Sequence, residues 1–216
     1  MRQGWRVRRP LGIATIKLPK QIVIATHNLK KAGEMTTILS AAFPETKWLT
    51  LSDFARAPEP EELGQTYAAN ARIKAESAAF FTKEWAIADD AGLEIDALDG
   101  APGLYSKRFG GEDLPFPEKI AKVLSLLEDV PEQGRGARFQ CAVALARPGH
   151  PTEEFDATCE GRIAGTPAGV GGFGYDPIFF LPELGRTMAE LTPEEKHAIS
   201  HRGKVLALVA NRLRSM

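Results

Sequence analysis

A mixed α/β fold is predicted by three features of the sequence. Short apolar runs that read as buried strands recur along the chain. Segments with apolar residues at helical spacing alternate with them, and a capped helical pattern closes the chain. The first run is Gln21-Ile-Val-Ile-Ala25. It is followed by Thr26-His-Asn28 and then by Ala32, Met35 and Leu39 on one helical face. Strand, short polar turn and helix open an α/β unit. Thr46 to Leu51 reads as a second strand, and Pro58 to Gly64 as an acidic loop.

From Thr66 to Thr82, alanines at 68, 71, 75, 78 and 79 predict a helix that packs closely on a sheet. Glu84 to Ala88 is the next buried strand, ending at Asp89-Asp90-Ala91-Gly92. A Gly/Pro-rich connection, Asp99 to Gly111, precedes a helix around Glu118 to Leu127. Arg138 to Ala146 and Glu153 to Arg162 alternate like paired strands, and the Gly-rich stretch Gly165 to Gly174 leads into Tyr175 to Leu181. Thr192-Pro-Glu-Glu195 is a capping box with Pro at N1, and Val205, Leu208, Val209 and Leu213 mark the apolar face of a last helix.

Length and composition exclude several classes. The chain has 216 residues, 44 % of them apolar and 25 % charged, which suits a globular domain and neither disorder nor collagen. No run approaches a membrane span, and the apolar stretch Leu11 to Ile16 is too short for a signal-peptide core. Cys141 and Cys159 form no CxxC, so neither a disulfide framework nor a zinc site is expected, and a cytoplasmic, reducing location fits. Net charge is −1, yet residues 1–33 carry eight bases and no acid, which leaves −9 on the remainder. A nucleic-acid-binding module using that basic start is the alternative from another class. The acidic body argues against it and against stable nucleic-acid binding.

Four clusters carry candidate chemistry. Thr26, His27, Asn28 and Lys31 sit where a strand gives way to a helix, either as an anion site at the helix N-terminus or as a helix cap with solvated lysines. Asp89 and Asp90 end an apolar strand, and alternation sends them to opposite faces. One of them can ligate a metal or take a proton while the other ties down backbone in the following turn; the alternative is a turn-forming pair. The acidic loop could add a second ligand for Mg²⁺, which takes one or two carboxylates beside phosphate and water. Gly171-Gly-Phe-Gly-Tyr-Asp-Pro177 offers either an aromatic stacking surface or a hairpin before a core strand. Lys196 and Ser200-His201-Arg202 supply donors for carbonyl or phosphate oxygens, or simply begin a helix.

In this order and spacing, the clusters resemble the inosine triphosphate pyrophosphatases, also called dITP/XTP pyrophosphatases. The matching stretches are Ala25 to Lys31, Glu61 to Gly64 with Asn70 to Ala75, Ala88 to Leu98, Gly100 to Phe109, Gly171 to Phe179, and Leu191 to Arg202. The resemblance covers roughly residues 21–214 and divides the chain into a basic extension, 1–20, and a catalytic domain, 21–216. It implies an elongated two-lobed α/β fold with a long central mixed sheet flanked by helices and a nucleotide groove between the lobes. It also implies homodimers, Mg²⁺ dependence, and hydrolysis of ITP, dITP, XTP or dXTP to the monophosphate plus pyrophosphate.

By motif position, the resemblance implies that Thr26, His27, Asn28 and Lys31 hold phosphates and that Asp90 is the catalytic carboxylate and a metal ligand. Glu59 and Glu62 are both candidates for the second metal ligand. Phe173, Gly174, Tyr175 and Asp176 would form the base pocket, and Lys196, His201 and Arg202 would complete recognition. Two residues depart from the family pattern: His27 stands where Gly is frequent, and Ala91 where Ser or Thr is common. A substrate contact at Ala91 would then use its backbone N–H. Arg202 or main-chain donors would pair with a 6-oxo group that adenine lacks.

Overall fold

The computed structural model describes residues 18–216. Six of the eight bases counted in 1–33 are Arg2, Arg6, Arg8, Arg9, Lys17 and Lys20; all but Lys20 lie outside the described residues, as does most of the expected 1–20 extension.

Seven strands form one mixed sheet. They are β1 (Gln21–Ile24), β2 (Lys47–Thr50), β3 (Trp85–Ile95), β4 (Gly136–Ala146), β5 (Glu153–Ile163), β6 (Phe179–Leu181) and β7 (Arg186–Thr187), in the order β2-β1-β3-β4-β5-β6-β7. β1 pairs in parallel with β2 and β3, and every later pairing is antiparallel. The helices are α1 (Leu29–Ala42), α2 (Tyr67–Thr82), α3 (Phe116–Leu126), α4 (Pro193–Ile199) and α5 (His201–Arg214). The expected mixed α/β sheet is present.

Hydrophobic periodicity explains how the layers assemble. α1 turns Met35 and Leu39 into a cluster with Val205, Leu206, Val209 and Leu213 of α5 on one sheet face. α2 lays Ala71, Ala75, Ala78 and Ala79 against Val23, Ala86, Ala88 and Ala144 on the other. Small residues facing small residues let this helix approach closely, as the alanine spacing predicts. A third cluster, around Leu93, Ile95, Val123, Phe139, Ile163 and Phe179, builds the opposite end of the long strands. Leu208 departs from its expected place: it is 46 % exposed, because α5 buries Val205, Leu206, Val209, Ala210 and Leu213, a face rotated away from position 208.

β3 also corrects the sequence reading. The strand does not end at the aspartates but runs through them to Ile95. It pairs residue by residue with β4, from Ala86 opposite Ala146 to Ile95 opposite Ala137. The partner's long buried run outweighs the turn tendency of Asp-Asp-Ala-Gly, so Asp89 and Asp90 lie in mid-strand. Near them β1 departs: Ala25 N–H makes its bond to Ile87 O, and the chain then leaves the sheet. Because β2 and β3 flank β1 on opposite sides, a crevice opens at the carboxyl end of β1, the topological switch point of the parallel half.

Candidate active site

A cavity of about 440 Å³ occupies that crevice. Its wall includes every sequence-predicted site residue: Thr26, His27, Asn28, Lys31, Glu59, Glu62, Asp90, Ala91, Phe173, Gly174, Tyr175, Asp176, Lys196, His201 and Arg202.

At the start of α1, Asn28 is the N-cap. Asn28 Oδ1 accepts from the N–H groups of Lys30 (3.0 Å) and Lys31 (3.2 Å), and Thr26 Oγ1 accepts from Asn28 N–H (3.1 Å). Those amides are occupied, so what this corner offers an anion is the N–H groups of His27 and Leu29 and the side chains of Thr26, His27 and Lys31. The Lys31 ammonium lies 3.2 Å from Asp89 Oδ2.

The two aspartates do divide between faces, with different partners from those expected. Asp89 is buried toward α5 and ties down no turn backbone. Its Oδ2 accepts from Arg202 Nε (3.2 Å) and Nη2 (2.9 Å) as well as pairing with Lys31. Burial opposes its ionisation, but the charges of Lys31, Arg202 and Lys74 outweigh that and hold its carboxyl well below the usual range. Asp90 faces α2, where its Oδ1 accepts from Lys74 Nζ (3.1 Å) and its Oδ2 from Asn70 Nδ2 (3.2 Å). Burial, with Glu62 repelling, pushes its pKa up despite Lys74 and Lys31. The fold thus pushes the two adjacent carboxyls in opposite directions.

Lys74 joins Asp90 to the acidic loop, because its Nζ also reaches Glu62 Oε1 at 3.1 Å. Asn70 does the same through backbone, its Oδ1 accepting from Gly64 N–H at 2.8 Å. Glu62 is therefore the loop carboxylate coupled to Asp90, while Glu59 lines the cavity without such a link. Two hard carboxylates converging on one cationic position suit a divalent ion that keeps phosphate and water as its other ligands. No group of three His, Cys, Asp or Glu side chains gathers as a metal cage among the described residues, so a cation here needs those outside ligands.

At the other end, Asp176 Oδ2 accepts from Phe173 N–H (2.7 Å) and Lys196 Nζ (2.7 Å), fixing the Gly-rich loop. Lys196 also donates to Glu34 Oε1, and Arg202 Nη1 donates to Glu34 Oε2, each at 2.7 Å. Lys196 Nζ lies 4.8 Å from the Phe173 ring centre and Arg202 Cζ 5.6 Å from it. Arg202 thus holds both Asp89 and Glu34 while lining the cavity. Tyr175 is also spoken for: it is buried, and its hydroxyl donates to Ser106 O at 3.0 Å. His201 stacks on Phe139 with ring centres 4.7 Å apart, and its buried Nδ1 has no partner. Burial and the cations Arg202 and Lys196 lower its pKa well below the usual value, so it is neutral at pH 7.

Glu34, Asn70 and Lys74 are the functional side chains that sequence reading passed over. The last two are four residues apart, which on a helix puts both on the face turned to Asp90. The signal was present once Asp90 was in view. Glu34 is three residues beyond Lys31, but nothing local announces its partners on α4 and α5.

Stability should fall with acid in two stages. His201, its pKa lowered in the fold, contributes stability that is lost as pH drops below its ordinary value of about 6.5. Asp89, also lowered, contributes fully above its ordinary value of about 3.9 and loses that contribution below it. Urea midpoints measured from pH 8 to 3 should show both declines, and Asp89→Asn should flatten the second.

A deep groove at a strand switch point, carboxylates and lysines at one end and an aromatic ring at the other, defines an α/β protein built to hold a charged ligand with an aromatic part. The match is more specific than that class: the model of the Ham1 family fits residues 22–212, and the chain belongs to that family. It is 52 % identical over 187 residues to the dITP/XTP pyrophosphatase of Geobacillus kaustophilus, covering 87 % of this chain and 91 % of that protein. The dITP/XTP pyrophosphatase of Yersinia pseudotuberculosis is 46 % identical over 197 residues, 90 % of this chain and 98 % of its own. The solved HAM1 protein of Coxiella burnetii superposes with a TM-score of 0.82 at 42 % identity, covering 91 % and 99 % of the two chains. For the Staphylococcus aureus Ham1 protein the TM-score is 0.81 at 39 % identity, with 90 % and 98 % covered. Among the described residues no helix is long and apolar enough to cross a membrane.

Proposed function

We propose that the chain hydrolyses nonstandard purine nucleoside triphosphates (ITP, dITP, XTP, dXTP) to the monophosphate and pyrophosphate. The observation that carries this reading is Asp90, whose pKa is raised and whose two oxygens are held by Asn70 and Lys74 within the groove. A carboxylate so placed takes a proton from water as it attacks the α-phosphorus. The new P–O bond comes from that water, and the bond to the bridging oxygen breaks to release pyrophosphate. Lys31 and Lys74 bring positive charge to the developing anion. Phe173 offers a face for the base.

Asp90 and Glu62 are the residues that would hold Mg²⁺, which supplies charge neutralisation on the phosphates when bound. Residues 21–216 then form the catalytic domain behind a basic extension, and the working unit is a homodimer. A reducing cytoplasm suits Cys141 and Cys159, both buried and free.

Incubation with Mg²⁺ and dITP, XTP, dATP or dGTP, with products resolved, tests the reading. Pyrophosphate release with preference for dITP and XTP is expected. Release of inorganic phosphate, or equal turnover of dATP and dGTP, would overturn it.

A further inference from the structure

A second cavity lies beside the groove and shares only Leu104 with its wall. It measures about 370 Å³ and is bordered by Gln65, Tyr67, Glu94, Gly103, Leu104 and Gln140. β3 supplies its base. Asp90, Gly92 and Glu94 share one face of that strand, so Glu94 stands one step beyond the groove residue Gly92, opposite Arg138 of β4. The Tyr67 hydroxyl of α2 lies over Gly92, where an added methyl group would come within 2.6 Å of it.

That hydroxyl is an anomaly. Tyr67 is 9 % exposed, and its buried hydroxyl has no hydrogen-bond partner among the described residues. Burial and the charge of Glu94, with a smaller part from Asp90, push its pKa up, yet the Glu94 carboxylate stops short of hydrogen-bond geometry. Phenylalanine would pack as well without orphaning a polar atom, so stability alone does not account for the hydroxyl. Glu94 is itself poorly paired. Among the described residues its one cation is Arg138 at 3.9 Å, and that guanidinium lies closer to Asp96 (3.1 Å) and Glu160 (3.2 Å). One positive charge answers three carboxylates, which leaves a negative surplus beside the cavity.

We propose that this second cavity binds a primary ammonium carried on a short aliphatic stem, held between the Glu94 carboxylate and the Tyr67 hydroxyl. An ammonium has three donors and no acceptor, which suits a carboxylate, a hydroxyl oxygen and an amide oxygen of Gln65 or Gln140. Leu104 gives the carbon stem an apolar wall. A divalent metal ion fits less well, because a single carboxylate lines the cavity and no phosphate is at hand to complete the ion's shell. The proposal does not depend on the triphosphate reading, since it concerns a site that holds no groove residue but Leu104.

Calorimetric titration of the full chain with 1,4-diaminobutane, in the absence and presence of Mg²⁺, tests it. Saturable binding that Mg²⁺ does not displace is expected, with none for butan-1-ol, which has the stem without the charge. Glu94→Gln should weaken the diamine about tenfold, the size of a lost charge-assisted hydrogen bond. Tyr67→Phe should weaken it about fivefold, the size of a lost neutral one. Thermal melts without the diamine should show Tyr67→Phe at least as stable as the wild type. Added diamine should raise Tm more in the wild type than in either variant.

Unchanged diamine affinity in either variant overturns the proposal, as does equal binding of butan-1-ol. Displacement by Mg²⁺ would put the amine among the groove carboxylates and also overturn it, while leaving the catalytic reading intact.

Discussion

Asp90→Asn should lower kcat by about 10²–10⁴-fold, the range typical of losing a positioned general base, while the protein stays folded. Asparagine matches aspartate in shape and can keep the bond from Asn70 or Lys74, but it cannot accept the proton from attacking water. The raised pKa adds a second expectation. At neutral pH the ionised Asp90 is disfavoured by the fold, with burial and Glu62 as the causes. Removing its charge should therefore leave Tm unchanged or higher, the trade between stability and activity common at catalytic carboxylates. Single-turnover kinetics and a thermal melt on the same preparation check both. Near-wild-type kcat would show that another group takes the proton.

Arg202→Met should have the largest effect on stability. It leaves the buried Asp89 with only Lys31, and Glu34 with only Lys196. Breaking a buried pair from one side costs about 3–5 kcal/mol, because the remaining charge keeps its desolvation penalty. Urea denaturation should report a loss of that size with an unchanged slope. Adding Asp89→Asn should recover part of it, whereas a purely steric role for Arg202 predicts no recovery.

Local pattern made much of the fold legible. β1, α1 and α2 announce themselves by an apolar run, by Ala32, Met35 and Leu39, and by an alanine ladder, because each uses neighbours in the chain to bury one face. The length of β3 was hidden. Asp89-Asp90-Ala91-Gly92 has turn chemistry, and only the presence of β4 alongside keeps it extended. The residues of the groove were equally legible one by one, while their pairings were not. Lys196 and Arg202 meet Glu34 across 162 and 168 positions of sequence, so no spacing rule reveals these pairs.

The unequal grip on Asp89 has a consequence for how the site can work. Arg202 holds Asp89 with two nitrogens from a nearly solvent-free position, whereas Lys31 holds it with one and is itself 18 % exposed. A polyphosphate that draws Lys31 away leaves Asp89 still doubly bonded, so the carboxylate is never stranded. The groove thus contains redundancy: one cation is detachable and can be lent to the ligand, while its twin anchors the sheet to α5 throughout the cycle.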